Sequence, residues 1–354
     1  MSDSHDELYV NERYKFDSEE KEEAEFQKHG QRVREAQAKL AKNQSPPHPR
    51  RVFHAKTHAC LKGKLTLLES RPQVTCHGIF NSNGKASYNV LARFSNAVGS
   101  DQHDLKPDAR GLALKIFGVS ETAASGDLRV TRTVDFLMTN STNAFGRDQE
   151  EFVQFMEANV SPGLFGRRLI VFLLTHCRVT CLLLKASFRI VPSMATQQYW
   201  SGHAYLLGPN RAMKFNVRPN GKTGGKKENW LRRALKMLRD RNYLRTDLLR
   251  RASEGPIKFI FSLQLEKDPK STPIENGLIE WKERDSPSIP VAELVIDQQQ
   301  EPQDCENLRF TPGNFLPAHR PLGNIGRGRM FTYQASQEGR NANPQEPKED
   351  SVFP

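Results

Sequence analysis

The stretch GRGRMFTYQASQEGR, Gly326 to Arg340, sets Arg329 four residues before Tyr333, with Arg340 further on. In a helix, positions four apart share a face one turn from each other, so the guanidinium can reach the phenol. A free phenol titrates near pH 10, and a cation against its oxygen favours the phenolate. That anionic oxygen suits ferric iron, including the iron of a haem. A porphyrin with two propionates also needs cationic partners of bidentate geometry, for which Arg51, Arg93 and Arg340 are available. Alone, the Arg-Tyr spacing is weak, because a surface helix with an incidental arginine gives the same string.

These residues must be brought together from distant elements. Residues 11–43 are charged and helix-favouring, and SPPHPRR then breaks the pattern. From Val52 to about Ile296, short β-favouring runs (GKLTLLE, YNVLARFS, GLALKIFGV, FIFSLQL, VAELVI) alternate with turn signals and predict a sandwich or barrel. Helical patterns at Asp148–Ala158 and Asn229–Ala252 make the chain α+β. A last short helical segment is expected from near Gly326, and PQEPKEDSVFP reads as a frayed tail.

The 354 residues suffice for a substantial core, and 37% hydrophobic with 26% charged residues is a globular balance. A formal charge of +11 fits nucleic acid, an anionic membrane or an acidic small molecule. Much of the excess lies in Lys226–Arg251, where Leu231, Leu235 and Leu238 mark an apolar stripe under a basic face. A solvated face is the favoured reading there, with peripheral contact to anionic membrane as the other. No nucleic-acid-binding module is recognisable. Five scattered cysteines argue against a disulfide framework and for a reducing compartment. Cys177 and Cys181 read as buried core residues rather than as a metal site. LIVFLLTHCRVTCLLLKASF, Leu169–Phe188, carries His176, Arg178 and Lys185, which make bilayer insertion costly, so a buried helix pair or strand is expected. With no secretory h-region and no peroxisomal tripeptide, the expected location is cytoplasmic.

RVFHAKTHACLKGKLTL, ARFSNAVGSDQHDLKPDARGLALKIF, DFLMTNSTNAFGRDQEEF and HRPLGNIGRGRMFTY occur in the order seen in haem catalases, which the chain resembles over about residues 50–340. QYWSGHAYLLG, LQLEKDP and IEWKERDSPSIPVAEL are more similar to the short, catalase-related branch that includes minicatalases and allene oxide synthases. The resemblance implies a catalase-like antiparallel β-barrel with surrounding helices and a C-terminal proximal helix. A charged arm would occupy residues 1–45 and a haem domain 46–345, with the barrel at about 50–296 and the proximal segment at about 300–340. A tail would follow at 346–354. It implies haem b, with Tyr333 as iron ligand, Arg329 against its oxygen, and Arg51, Arg93 and Arg340 on the propionates. Phe152 would stack on the porphyrin. On the distal side it implies His54 as proton shuttle, Ser95 orienting it, and Asn140 polarising a peroxide. A neutral imidazole suits that shuttle.

Full catalases tend to have valine before the distal histidine and allene oxide synthases threonine, whereas this chain has Phe53. The turn after Asn140 carries Thr142, Ala144 and Phe145 where a proline and two phenylalanines are usual, which predicts a more open distal wall. FTPGN replaces an FNPW-like phrase, and the nucleotide-binding region of large catalases is short or absent, so no NADPH is expected. The implied function is haem-dependent cleavage of hydrogen peroxide or an organic hydroperoxide. The alternatives are an allene oxide synthase-like conversion of fatty-acid hydroperoxides and a non-catalytic haem-binding protein. The resemblance leaves a homo-oligomer open.

Overall fold

The structure, a computed structural model, describes residues 8–42, 50–81, 86–119, 121–122, 128–129, 133–160, 167–187, 190–221, 230–298, 305–341 and 347–353. Its strands are β1 (Thr57–Leu67), β2 (Ser87–Asn96), β3 (Arg110–Phe117), β4 (Glu121–Thr122), β5 (Leu128–Arg129), β6 (Thr133–Thr139), β7 (Tyr199–Trp200), β8 (Tyr205–Leu206), β9 (Ala212–Pro219), β10 (Ile257–Leu265) and β11 (Ile289–Gln298). The helices are α1 (Glu19–Lys42), α2 (Gln149–Val160), α3 (Arg167–Thr175), α4 (Cys177–Ser187), α5 (Trp230–Arg239), α6 (Tyr243–Glu254), α7 (Gly323–Gly339) and α8 (Glu349–Val352). Eight strands close an antiparallel barrel in the order β1-β2-β3-β6-β7-β9-β10-β11 and back to β1, with β8 added beside β9. The α+β barrel with surrounding helices is thus the architecture.

Alternation along each strand explains the closure. On β10, Ile257, Phe259, Phe261 and Leu263 point into a fully buried interior, where Phe136, Phe215 and Phe261 meet. On β2 the parity divides two environments. Val90, Ala92 and Phe94 fill the barrel, while Leu91 joins a second cluster with Cys60, Phe117, Cys305 and Phe310. Arg93 and Ser95 share the parity of Leu91, so β2 presents them on the barrel's outer face.

Around this barrel, α6 buries Tyr243, Leu244, Leu248 and Ala252 in the main core, while Arg250 and Arg251 pair with Asp247 on its outer side. That part of the basic segment is a solvated face over a buried stripe. On α5, Leu235 and Leu238 are exposed, and the side chain of Leu231 lies outside the described residues. Helix α1 packs on α7, with Phe26 5.4 Å from Phe331 and Gln37 Nε2 donating to the Ser336 carbonyl. The 347–353 segment, read above as a tail, contains α8, with Val352 buried and Phe353 edge-on to Phe117.

The Leu169–Phe188 run forms the helices α3 and α4, but burial covers one side only. Phe172 and Val179 pack with Phe155 and Ala158 of α2, whereas Ile170, Val171 and Leu174 are exposed. Cys177 and Cys181 are exposed as well, against the expectation of core positions. Among the described residues, burial is confined to the face of the hairpin towards α2. Cys60 and Cys305 are brought side by side, with Cα atoms 6.3 Å apart, a spacing that a disulfide can span.

Candidate active site on the outer face of the barrel

His54 lies just before β1 with φ at 58°, a left-handed value that costs a non-glycine residue on the order of 1 kcal/mol. Three contacts hold it there. Its amide donates to the Ala97 carbonyl at 2.8 Å, Arg93 donates to its carbonyl at 2.8 Å, and its ring Nδ1 lies 2.9 Å from Ser95 Oγ. The backbone turn lays the imidazole over Gly111 of β3, where any Cβ would collide with the ring. Gly111 faces Ser95 across the β2–β3 ladder, so the platform and the orienting hydroxyl are cross-strand neighbours. Burial pushes the His54 pKa down to about 3, helped by the charges of Arg93, Arg329 and Arg51. The ring is therefore neutral at physiological pH, and its Nε2 is left for a substrate.

Asn140 follows β6, and its Oδ1 accepts the Arg110 amide at 2.7 Å. That bond turns the carboxamide so that Nδ2, which has no acceptor among the described residues, is the donor in reserve. Asn143 is occupied instead, with Nδ2 on the Leu278 carbonyl and Oδ1 accepting from Thr142. Phe53 packs its ring 5.4 Å from that of Phe152 on α2 and joins a cluster with Val33, Val52 and Val153. The bulk beside His54 is thereby drawn towards α1 and α2. Phe145 stacks on Phe155 at 5.7 Å.

On α7, Arg329 Nη2 donates to Tyr333 Oη at 3.0 Å, the one-turn contact that the spacing predicts. Two neighbours had no role assigned from sequence. His203 and Tyr205 stack with ring centroids 4.5 Å apart, and His203 Nε2 and Tyr205 Oη are buried without partners among the described residues. Burial, then the Arg329 charge, holds His203 far below its ordinary pKa, while burial raises that of Tyr205. The phrase SGHAY was the signal: a histidine and a tyrosine two apart on an extended segment share one side.

Arg51, Arg93 and Arg340, drawn from distant parts of the chain, converge on the segment after Cys305. Arg51 donates to Glu306 at 2.7 Å and to the Leu308 carbonyl at 2.8 Å. Arg340 donates to the Glu306 carbonyl at 3.1 Å, and Arg93 lies 3.9 Å from the Glu306 carboxylate. Burial, and then the neighbouring charge of Arg51, brings Arg340 down to about 9 and holds Arg93 well below the usual guanidinium range. Glu306 is held low despite burial, because Arg93 and Arg51 outweigh it. Tyr333 is within electrostatic reach of both Arg51 and Arg93. One carboxylate faces three guanidiniums, which leaves a positive excess suited to a further anionic ligand.

Arg327, in contrast, serves the scaffold. It bonds Glu12 at 2.6 Å and Glu22 at 2.8 Å, and it lies 3.7 Å from Glu275.

The sequence model of the family described as Catalase matches residues 19–346. A protein of Mycolicibacterium paratuberculosis named catalase-related peroxidase is 30% identical over 191 residues, covering 52% of this chain and 56% of that one. A protein of a Nostoc species named linolenate 9R-lipoxygenase is 24% identical over 271 residues, 72% of this chain and 33% of that one. The chain thus matches between a third and somewhat over half the length of these curated relatives. Among solved structures, catalase A from Saccharomyces cerevisiae superposes with a TM-score of 0.66 at 18% identity, covering 85% of this chain and 63% of that one. A fungal catalase superposes with a TM-score of 0.65 at 18% identity, over 85% of this chain and 61% of that chain. The solved structures share the fold of this chain.

Proposed function

From the premise that this chain belongs to the catalase family, with residues 19–346 matched, we propose that it is a haem-dependent enzyme that cleaves hydroperoxides. The carrying observation is convergence. Arg51 and Arg93 lie within electrostatic reach of Tyr333, Arg340 joins them around Glu306, and Arg329 already donates to the Tyr333 oxygen. The unpartnered Arg93 Nε and the one-to-three ratio of carboxylate to guanidinium fit a haem with two propionates. In this reading residues 46–345 form the haem domain, Tyr333 holds the iron, the three arginines hold the propionates and Phe152 lies against the ring. No NADPH is included.

The bound haem b supplies the redox centre for the chemistry of the O–O bond. The chain supplies the proton handling. With Nδ1 held at the Ser95 hydroxyl, neutral His54 takes a proton at Nε2 from the near peroxide oxygen and returns it to the departing one. Asn140 Nδ2 donates to the peroxide and draws charge onto that oxygen. Arg329, donating to the Tyr333 oxygen, would favour its phenolate form as a ligand for the iron.

The name catalase-related peroxidase, carried by the Mycolicibacterium relative, supports hydrogen peroxide or an organic hydroperoxide as substrate. A second reading, allene oxide synthase-like conversion of a fatty-acid hydroperoxide, draws on the linolenate named for the Nostoc relative. One experiment separates them. The purified protein should show a ferric haem band and release oxygen from hydrogen peroxide. Loss of conjugated-diene absorbance from a fatty-acid hydroperoxide, without oxygen release, would select the second reading. Absence of a haem band after incubation with haemin would overturn both.

A further inference from the structure

We propose that the outer face of the α3–α4 hairpin is a docking surface for a lipid bilayer containing anionic phospholipid. The inner face is committed, since Phe172 and Val179 are buried against Phe155 and Ala158. The outer face is not. Ile170, Val171 and Leu174 are 42%, 52% and 74% exposed within little more than one turn, and Ile190 just beyond is 70% exposed. Four of the eight large hydrophobic side chains exposed among the described residues therefore fall between 170 and 190. Clustered exposed aliphatics of this kind mark an interaction surface.

Charge identifies the partner. From Ala158 to Ile190, the stretch that contains the hairpin, the sequence has five Lys and Arg residues and no Asp or Glu. Arg178, exposed at the start of α4, stands beside the apolar patch. Glu151 on α2, 3.9 Å from His176, is buried, and Glu150 and Glu157 on the same helix are paired with Arg32. An apolar strip on a hairpin whose own sequence is basic and free of acids fits acyl chains under anionic headgroups. Helices of 9 and 11 residues are too short to cross a bilayer, so the contact is interfacial. Docking does not depend on the proposed activity, because vesicle binding is read without turnover.

The test is sedimentation of the full chain with phosphatidylcholine vesicles, with and without phosphatidylserine. Binding is expected only with phosphatidylserine, and it should fall about tenfold in V171E/L174E and in R178E. It should also fall at 1 M salt, where screening acts within about 3 Å. Circular dichroism serves as the fold control. In wild-type protein, vesicles should in addition protect Cys177 and Cys181 from a charged maleimide, with half-buried Cys76 as the reference. The proposal fails if wild-type protein does not bind, or if V171E/L174E binds equally well. It also fails if the wild type is a dimer without vesicle affinity that V171E/L174E converts to monomer, since the face would then belong to a second copy.

Discussion

The hydrogen bond between Ser95 and His54 fixes which ring nitrogen is free, and it makes the distal side testable atom by atom. Ser95→Ala should lower kcat about tenfold while leaving KM nearly unchanged, as stopped-flow turnover would read. Gly111→Val should be worse for activity than for stability, because its side chain displaces the imidazole and little else; comparing turnover with the melting temperature checks this. With its pKa pushed down to about 3, His54 stays neutral through the working range. The pH–rate profile should therefore be flat between about pH 5 and 8, and a limb near pH 6.5 would reveal an imidazole that titrates as if exposed. Tyr333→Phe should abolish the ferric haem spectrum or the activity, and an unchanged spectrum and rate would refute the ligand assignment. The pairing of Arg329 with Tyr333 was legible because four-residue spacing is a local rule. That Arg51, Arg93 and His54 lie close together was legible only through resemblance, since nothing local in sequence marks residues brought together by a barrel. His203 and Tyr205 went unassigned because what distinguishes them is burial beside Arg329.

At the scale of elements, α7 is useful only if it is held in place, and the clamp is Arg327 with Glu12 and Glu22. Both carboxylates are almost fully buried, so Arg327→Ala leaves buried charge short of its partner. A loss of about 3 kcal/mol is expected, read by chemical denaturation of the apo protein. A change below about 0.5 kcal/mol would place the pair among unimportant surface contacts. Strand alternation was legible in β2, β3, β10 and β11 because one face of each is buried in the barrel. The α3–α4 hairpin was misjudged for a related reason. Apolar residues report what could be buried, and whether a partner layer exists is decided elsewhere in the chain.

For the whole molecule, pH acts through buried histidines. His54 is pushed down to about 3, and His58 and His319 to about 4, all by burial first. Below about pH 6.5 the unfolded chain takes up protons that the folded chain refuses, so stability falls as pH falls towards 4. The slope is up to ~1.4 kcal/mol per pH unit for each histidine. Asp108, which burial pushes up to about 7, and Glu275, which burial also raises, work the other way, while His29 and His203, both lowered by burial, add to the histidine side. Thermal melting of the apo protein should therefore drop between pH 6.5 and 4.5, and a flat profile would contradict the burial of these rings. The eight-strand closure was only partly readable in advance: many strands implied a sandwich or barrel, but the pairing of β10 with β9 joins elements through contacts no local pattern encodes.

The packing of α1 on α7 has a consequence for synthesis. The ribosome makes Phe26 roughly three hundred residues before the Phe331 that covers it. At bacterial or eukaryotic elongation speeds this is about 15–60 s during which Phe26 lacks its partner on α7, although Val33 and Ala36 meet Val52 and Val153 sooner. For that interval α1 is a client for chaperones, and Tyr333 arrives on the same late helix that ends the wait.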